Sequence, residues 1–257
     1  MSRFIPCKIT SAIHAEELLN GDVFMRPLSE FGIWDRGSDI TDRNRRDFLE
    51  GSAATFEQDG RRVAFIDESD IQYFKVFCTY CLEIIDDEPV KPDQRVKDFG
   101  DTVVVFRDYN SFLLRWGKAA EEKYKEHVDL LGRINYYNPA ENRMLNPLFE
   151  KINAYSYQNE LRLAFCESEK NPFLIGPGPE YSIIFSKERV TLNVGDIRDI
   201  AYAIPIEQFM DCSGIEGKHH PPETGDEGAP FDFLVARTNE EMARYRSIMV
   251  RPVTMIY

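Results

Sequence analysis

Apolar positions along the chain fall into short runs separated by polar punctuation, and most runs have strand length. Arg3–Ile9 and Asp22–Leu28 predict strands, and between them Ser11–Asn20 has the marks of a short helix. Ser11 can cap that helix, Glu16 and Glu17 point outward, Leu18 and Leu19 point inward, and Gly21 stops it. Gly32–Arg46 is mostly polar, with Gly, Asp and Arg throughout, and reads as a long loop, after which Asp47–Ala54 leads into strands around Ala53–Glu57 and Val63–Ile66. A buried strand is expected over residues 73–85, closed by the acidic turn Asp86-Asp87-Glu88-Pro89. Asp101–Phe106 gives the clearest β signal. In Ser111–His127, helical spacing gathers Phe112, Leu113, Trp116, Ala119, Ala120 and Tyr124 on one face.

Further on, Arg133–Asn138 predicts a strand, Leu145–Ala154 a helix, and Glu160–Cys166, Tyr181–Phe185, Val190–Val194 and Val250–Tyr257 further strands. Strand outweighs helix, and no internal repeat is visible. The pattern predicts an α+β fold: a curved or split, mostly antiparallel sheet with a few flanking helices. One domain over residues 1–257 is expected, with a flexible loop at 214–230, where Gly, Pro and His displace apolar residues.

Composition narrows the classes. The chain has 257 residues, with Lys+Arg 31 against Asp+Glu 44 and a formal net charge of -13, so a general coater of nucleic acid is a poor fit. A nucleic acid touched at one local site remains compatible. No apolar run reaches membrane-spanning length and the N-terminus has no apolar signal core, so no membrane association is expected. The five cysteines are odd in number and mostly embedded in apolar stretches, which points to a cytoplasmic protein with free thiols. Cys78 and Cys81 have CxxC spacing. On a strand, residues three apart face opposite sides, so buried thiols are preferred over zinc and no metal site is expected.

The segment with chemical content is Tyr155-Ser156-Tyr157-Gln158-Asn159-Glu160-Leu161-Arg162-Leu163-Ala164-Phe165. On an extended chain Gln158, Glu160 and Arg162 share one side and Leu161, Leu163 and Phe165 the other. One face packs while the other presents an amide, a carboxylate and a guanidinium. The plain alternative is a same-face ion pair on a solvated strand.

Gln-x-Glu at the start of a strand resembles the turn-turn motif of the ADP-ribosyltransferase superfamily, including the DarT-like toxins that modify nucleic acid. More of residues 1–205 resembles a widespread uncharacterised group of bacterial and phage proteins. The segments concerned are Val23–Leu28, Asp47-Phe48-Leu49-Glu50-Gly51, Phe99-Gly100-Asp101, Tyr157–Arg162 and Val194-Gly195-Asp196-Ile197. The resemblance implies an ADP-ribosyltransferase-like fold and an NAD-dependent transferase that modifies a nucleic acid or protein, in the setting of phage–host conflict. It implies NAD as substrate, Glu160 as the catalytic carboxylate and Gln158 as the guide of the acceptor. Substrate-binding candidates are Arg162, Tyr157, Tyr155 and, for the basic residue such enzymes carry on their first strand, Arg3 or Lys8. The superfamily's second-strand Ser-Thr-Ser or His…Tyr signature is absent. As substrate contacts Tyr155 and Tyr157 would stack on nicotinamide, although aromatic residues beside a strand are more often packing residues.

Asp47 and Glu50 form a second carboxylate cluster. Their spacing fits a capping box, or, with Glu160, a divalent-metal phosphodiesterase site that would lack the usual lysine. Arg43, Arg45, Arg46, Arg61 and Arg62 gather in an otherwise acidic chain; they read first as a solvated loop, and alternatively as a small basic rim for a nucleotide-sized anion. A non-catalytic phage or defence binding protein with a degenerate enzyme fold is the remaining alternative. Ile175-Gly176-Pro177-Gly178-Pro179 is no phosphate loop, because the prolines remove the donating amides.

Overall fold

The computed structural model describes residues 3–28, 30–31, 55–58, 61–64, 74–124, 126–138, 148–168 and 188–216. They form a mixed α+β structure with a mostly antiparallel sheet and few helices. The strands are β1 (Arg3–Thr10), β2 (Asp22–Pro27), β3 (Thr55–Gln58), β4 (Arg61–Ala64), β5 (Lys75–Ile85), β6 (Glu88–Pro89) and β7 (Thr102–Phe106). They continue with β8 (Glu126–Arg133), β9 (Asn135–Tyr137), β10 (Glu150–Ile152), β11 (Glu160–Ser168), β12 (Val190–Asn193) and β13 (Ala201–Pro205). The helices are α1 (Ala12–Leu19), α2 (Tyr109–Lys123) and α3 (Ile206–Met210), with 3₁₀ segments at Gln94–Phe99 and Asn153–Gln158.

The long strand β5 organises the nine-stranded sheet. β11 pairs with β5 from Tyr80 to Lys75 and carries β8 on its far edge. On the opposite edge β1 pairs from Ile84 to Tyr80, whereas β2 joins only at Val76 and Lys75. Neither reaches Phe77, Cys78 or Thr79. There β1 turns away to pair with β7 through Cys7–Thr10, and β2 turns away to pair with β12. The sheet is therefore split along one edge of β5. From β8 it runs β8-β11-β5-β1-β7-β13 through the body, with β2 and β12 as a separate wing.

Both faces of the sheet are packed. Phe77 and Cys81 on β5, Val104 and Phe106 on β7, and Leu161, Leu163 and Phe165 on β11 bury against α1 and α2. The helix α2 contributes Phe112, Trp116 and Ala120, with Trp116 edge-on to Phe165 at 5.3 Å between centroids. On the other face Ile5, Leu82, Val103 and Val105 pack with Val96 and with Phe209 of α3. Ser11 caps α1 and Asp108 caps α2, each through its side-chain oxygen.

Several expectations change. The predicted helix at Leu145–Ala154 is replaced, over its described part, by β10 and the start of a 3₁₀ segment; β10 pairs in parallel with β9, so its backbone groups enter a ladder. The helix expected over Ser111–His127 ends at Lys123 because Tyr124 is extended (φ -126, ψ 126), and His127 belongs to β8. Arg133–Asn138 divides between the end of β8 and β9. β3 and β4 overlap the strands expected around Ala53–Glu57 and Val63–Ile66, at residues 55–57 and 63–64. The turn after β5 has positive φ at both Asp86 and Asp87, the mirror-type geometry that matches strand twist in a tight hairpin. Tyr181–Phe185, Val250–Tyr257 and residues 217–230 of the expected loop lie outside the described residues. Among the described residues no helix is long and apolar enough to cross a membrane.

Candidate functional site

The Gln-x-Glu segment is placed by one left-handed residue. The 3₁₀ segment ends at Asn159 with φ 38, a conformation that asparagine tolerates better than most side chains. Two hydrogen bonds lock it to β5: Cys81 N–H donates to the Asn159 carbonyl at 2.7 Å, and Asn159 Nδ2 donates to the Cys81 carbonyl at 2.6 Å. Gln158 and Glu160 are thus brought to the same side by a bend rather than by strand alternation. From Glu160 onward alternation does hold, with Leu161, Leu163 and Phe165 in the core and Glu160 and Arg162 on the opposite face.

That polar face is internally paired. Glu160 Oε1 accepts from Arg162 Nε at 2.9 Å and lies 2.8 Å from Arg162 Nη2. Its Oε2 accepts from Lys151 Nζ at 2.7 Å, and the same ammonium donates to Gln158 Oε1 at 2.9 Å. Arg162 Nη1 donates to the Leu148 carbonyl at 2.9 Å. Glu160 is 6% exposed, Lys151 6% and Arg162 0%, so the whole cluster is desolvated. Burial alone would push the Glu160 carboxyl pKa up, towards the neutral acid. The Arg162 and Lys151 charges, with hydrogen bonds from Cys78 and Lys151, outweigh it and hold the carboxyl well below the usual carboxylate range. Tyr136 Oη accepts from the Glu160 backbone N–H at 3.1 Å, and its phenol is pushed up, chiefly by burial and then by the Glu160 charge.

Glu160 and Gln158 form one wall of a cavity of about 90 Å³ whose other lining includes Lys8, Ile9, Cys78, Tyr80 and Phe99. A larger cavity of about 520 Å³ shares Lys8, Ile9, Cys78 and Phe99 and extends over Thr10, Ser11, Arg26 and Phe31. Both sit at the split of the sheet. Lys8 stands where β1 leaves β5: its Nζ donates to the Cys78 carbonyl at 2.8 Å and lies 4.9 Å from the Phe77 ring centre. It thereby engages a backbone group that no strand covers. Burial lowers the Lys8 ionisation, and Cys78 and Glu160 partly oppose this. Burial, with the Glu160 charge, pushes the Cys78 thiol up to about 12, so it is a protonated thiol at neutral pH. Cys81 faces the α2 side of the sheet, so the two sulfurs of the CxxC segment lie on opposite faces.

The other candidates separate. Arg3 lies five residues before Lys8 on β1, roughly 16 Å away at strand rise, and pairs with Asp87 in the β5–β6 turn. Arg162, expected as a substrate contact, is fully buried, donates to Glu160 and to the Leu148 carbonyl, and lines neither of these cavities. Tyr157 holds the Arg95 guanidinium 3.8 Å over its ring and lies 6.5 Å from Phe99. Tyr155 is half-buried on the same 3₁₀ segment. Asp47, Glu50, Arg43, Arg45 and Arg46 lie outside the described residues, as do the side chains of Arg61 and Arg62. Among the described residues no three His, Cys, Asp or Glu side chains gather to hold a metal.

Lys151, the residue joining Gln158 to Glu160, was not legible beforehand: it lies in a segment whose spacing suggested a helix. Arg26 was equally silent. Its guanidinium lies 5.8 Å from the Phe24 ring and 5.6 Å from the Phe31 ring in the wall of the larger cavity. Lys8, Lys151 and Arg162 outnumber Glu160, so the inner site is locally cationic within a chain of net charge -13. The larger cavity sets the carboxylates Glu17, Asp22 and Glu30 beside Lys8 and Arg26, so an anionic group is favoured only at its inner end, where Lys8 stands. No family model matches the chain, no curated protein is similar to it and no solved structure matches it.

Proposed function

We propose that the chain is an ADP-ribosyltransferase-like enzyme that uses NAD as substrate in the cleft at the split of the sheet. The observation that carries this reading is a convergence: Lys8 of the first strand and the Gln158-x-Glu160 pair, some 150 positions apart in the chain, line one cavity. In this reading Lys8 and Arg26 meet the phosphates, and Glu160, held ionised by Arg162 and Lys151, faces the ribose. The nicotinamide–ribose C–N bond breaks with its electron pair leaving on nicotinamide. The ionised carboxylate stabilises the oxocarbenium-like charge left on the sugar. A lone pair on the acceptor then bonds to that carbon and the acceptor's proton passes to solvent.

A second reading draws on a specific feature: both Glu160 oxygens already accept from cations of the protein itself. A carboxylate so neutralised suits a non-catalytic binding protein that retains the cleft. The third candidate, a metal-dependent phosphodiesterase, draws no support from a carboxylate held by two cations.

Nicotinamide release from labelled NAD⁺ separates the two. The enzyme reading expects release by the wild type and a loss of at least about 100-fold in Glu160→Gln, with its fold checked by circular dichroism. Equal background rates in the two proteins overturn it. Saturable NAD⁺ binding without release assigns the cleft to the binding protein.

A further inference from the structure

We propose that Asp22, at the outer end of the larger cavity, is a specificity-determining residue that admits a nucleoside with free ribose hydroxyls and turns away a phosphorylated one, so that the cleft takes NAD⁺ and rejects NADP⁺. This rests on the reading above for the class of ligand and adds to it the part of the chain that discriminates between the two dinucleotides. Strand alternation sets Asp22, Phe24 and Arg26 on one side of β2, while Val23 and Met25 bury on the other. All three line the cavity of about 520 Å³. Arg26 stands where β2 meets β5 at Val76, two residues from Cys78, whose carbonyl holds the Lys8 ammonium. At strand rise Asp22 lies about 13 Å beyond Arg26. The wall therefore changes along β2 from cation to an aromatic ring, Phe24 being 44% exposed, and then to a carboxylate.

A dinucleotide with its reacting ribose at Glu160 and its pyrophosphate between Lys8 and Arg26 sends its adenosine outward along β2. The Phe24 ring offers a face for the base. A carboxylate only accepts, so it matches ribose hydroxyls, which donate. The 2′-phosphate of NADP⁺ brings acceptors and up to about two further negative charges to the same place. Asp22 accepts from the Asn193 amide at 2.8 Å, a neutral partner that leaves its charge in place. Glu17 of α1 adds a second carboxylate to the lining, with the His14 ring 2.7 Å away. Glu30 is offset by Arg189 at 2.9 Å and contributes less. Like charges brought together in this way exclude a wrong ligand more than they strengthen the right one.

Calorimetry on the full chain with NAD⁺ and with NADP⁺ tests this, beside nicotinamide release from each. NAD⁺ should bind at least about tenfold more tightly at low salt, and the ratio should shrink as salt screens the repulsion. Asp22→Asn keeps an oxygen for Asn193 and should raise the affinity for NADP⁺ at least about threefold, a gain that damage to the fold would not produce. Glu17→Gln should act in the same direction. Equal affinities of the wild type for the two dinucleotides, or an affinity for NADP⁺ that neither variant raises, overturn the proposal while leaving the transferase reading intact. Selective binding of NAD⁺ without nicotinamide release supports the role of Asp22 and overturns the transferase. Binding of neither dinucleotide overturns both.

Discussion

Replacing Glu160 with alanine is expected to lower the unfolding free energy by about 3–5 kcal/mol, because it leaves two buried cations without their shared counter-charge. Lys151 and Arg162 are 6% and 0% exposed, and both direct donors at this carboxylate. Urea melts at neutral pH measure the loss; a change below about 1 kcal/mol would show the cluster to be solvated in solution. The same carboxylate gives the protein an acid limb of known sign. Its folded ionisation lies below the ordinary value of 4.5. Its contribution is therefore fully present above that value and is lost as pH falls from there through the folded value. Glu160→Gln should flatten that limb. Stability must accordingly be measured beside activity for any Glu160 variant, or unfolding will pass for lost catalysis.

Gly100→Ala is the second large effect. A Cβ at Gly100 would lie 2.0 Å from the Thr10 carbonyl oxygen and 2.2 Å from its carbon, both main-chain atoms that cannot swing aside. Thr10 ends β1, pairs with Thr102 of β7 and lines the larger cavity with Gly100 itself. Accommodating a methyl group there means prising β1 from β7 at the rim of the cleft. The expected cost is about 3 kcal/mol or more, at the upper end of what overpacking does. Gly195→Ala is the control. Its Cβ would meet nothing within 4 Å, and its φ of +76 imposes only backbone strain, about 1–2 kcal/mol. Thermal melts of the two variants should differ clearly; equal melting temperatures would contradict the close approach.

Much of the frame was legible because it rests on local rules. Ser11 and Gly21 bracket α1 as caps do, and the Val-rich run in β7 and the alternation after Glu160 assign their faces without tertiary information. A curved or split sheet was expected, without the place of any split. That place depends on Cys7 pairing with Tyr80 while Arg26 pairs with Val76, a register between distant segments that no local pattern encodes. The errors have the same origin. Residues 150–152 become a strand because β9 offers them a ladder, and residues 126–127 because β11 does; non-local pairing overrode the helical spacing.

The site divides in the same way. Gln158 and Glu160 stood out by residue type, and Lys8 was one of two basic residues considered on the first strand. Choosing between Arg3 and Lys8 needed the bend of β1 away from β5. The pairing of Arg162 with Glu160 under cover was not legible, because alternation gives the side of a strand, not whether that side is covered. Lys151 and Tyr136, which cover it, come from β10 and β9, a parallel pair with weak local signals.

Hydrogen exchange of the full chain with and without NAD⁺ tests the central claim most directly, because it locates the ligand whether or not turnover occurs. If the dinucleotide occupies the split of the sheet, protection should rise together at Lys8–Ser11, at the uncovered β5 residues Phe77–Thr79 and at Gln158–Glu160. Protection confined to other segments, or no change at saturating NAD⁺, would contradict the account.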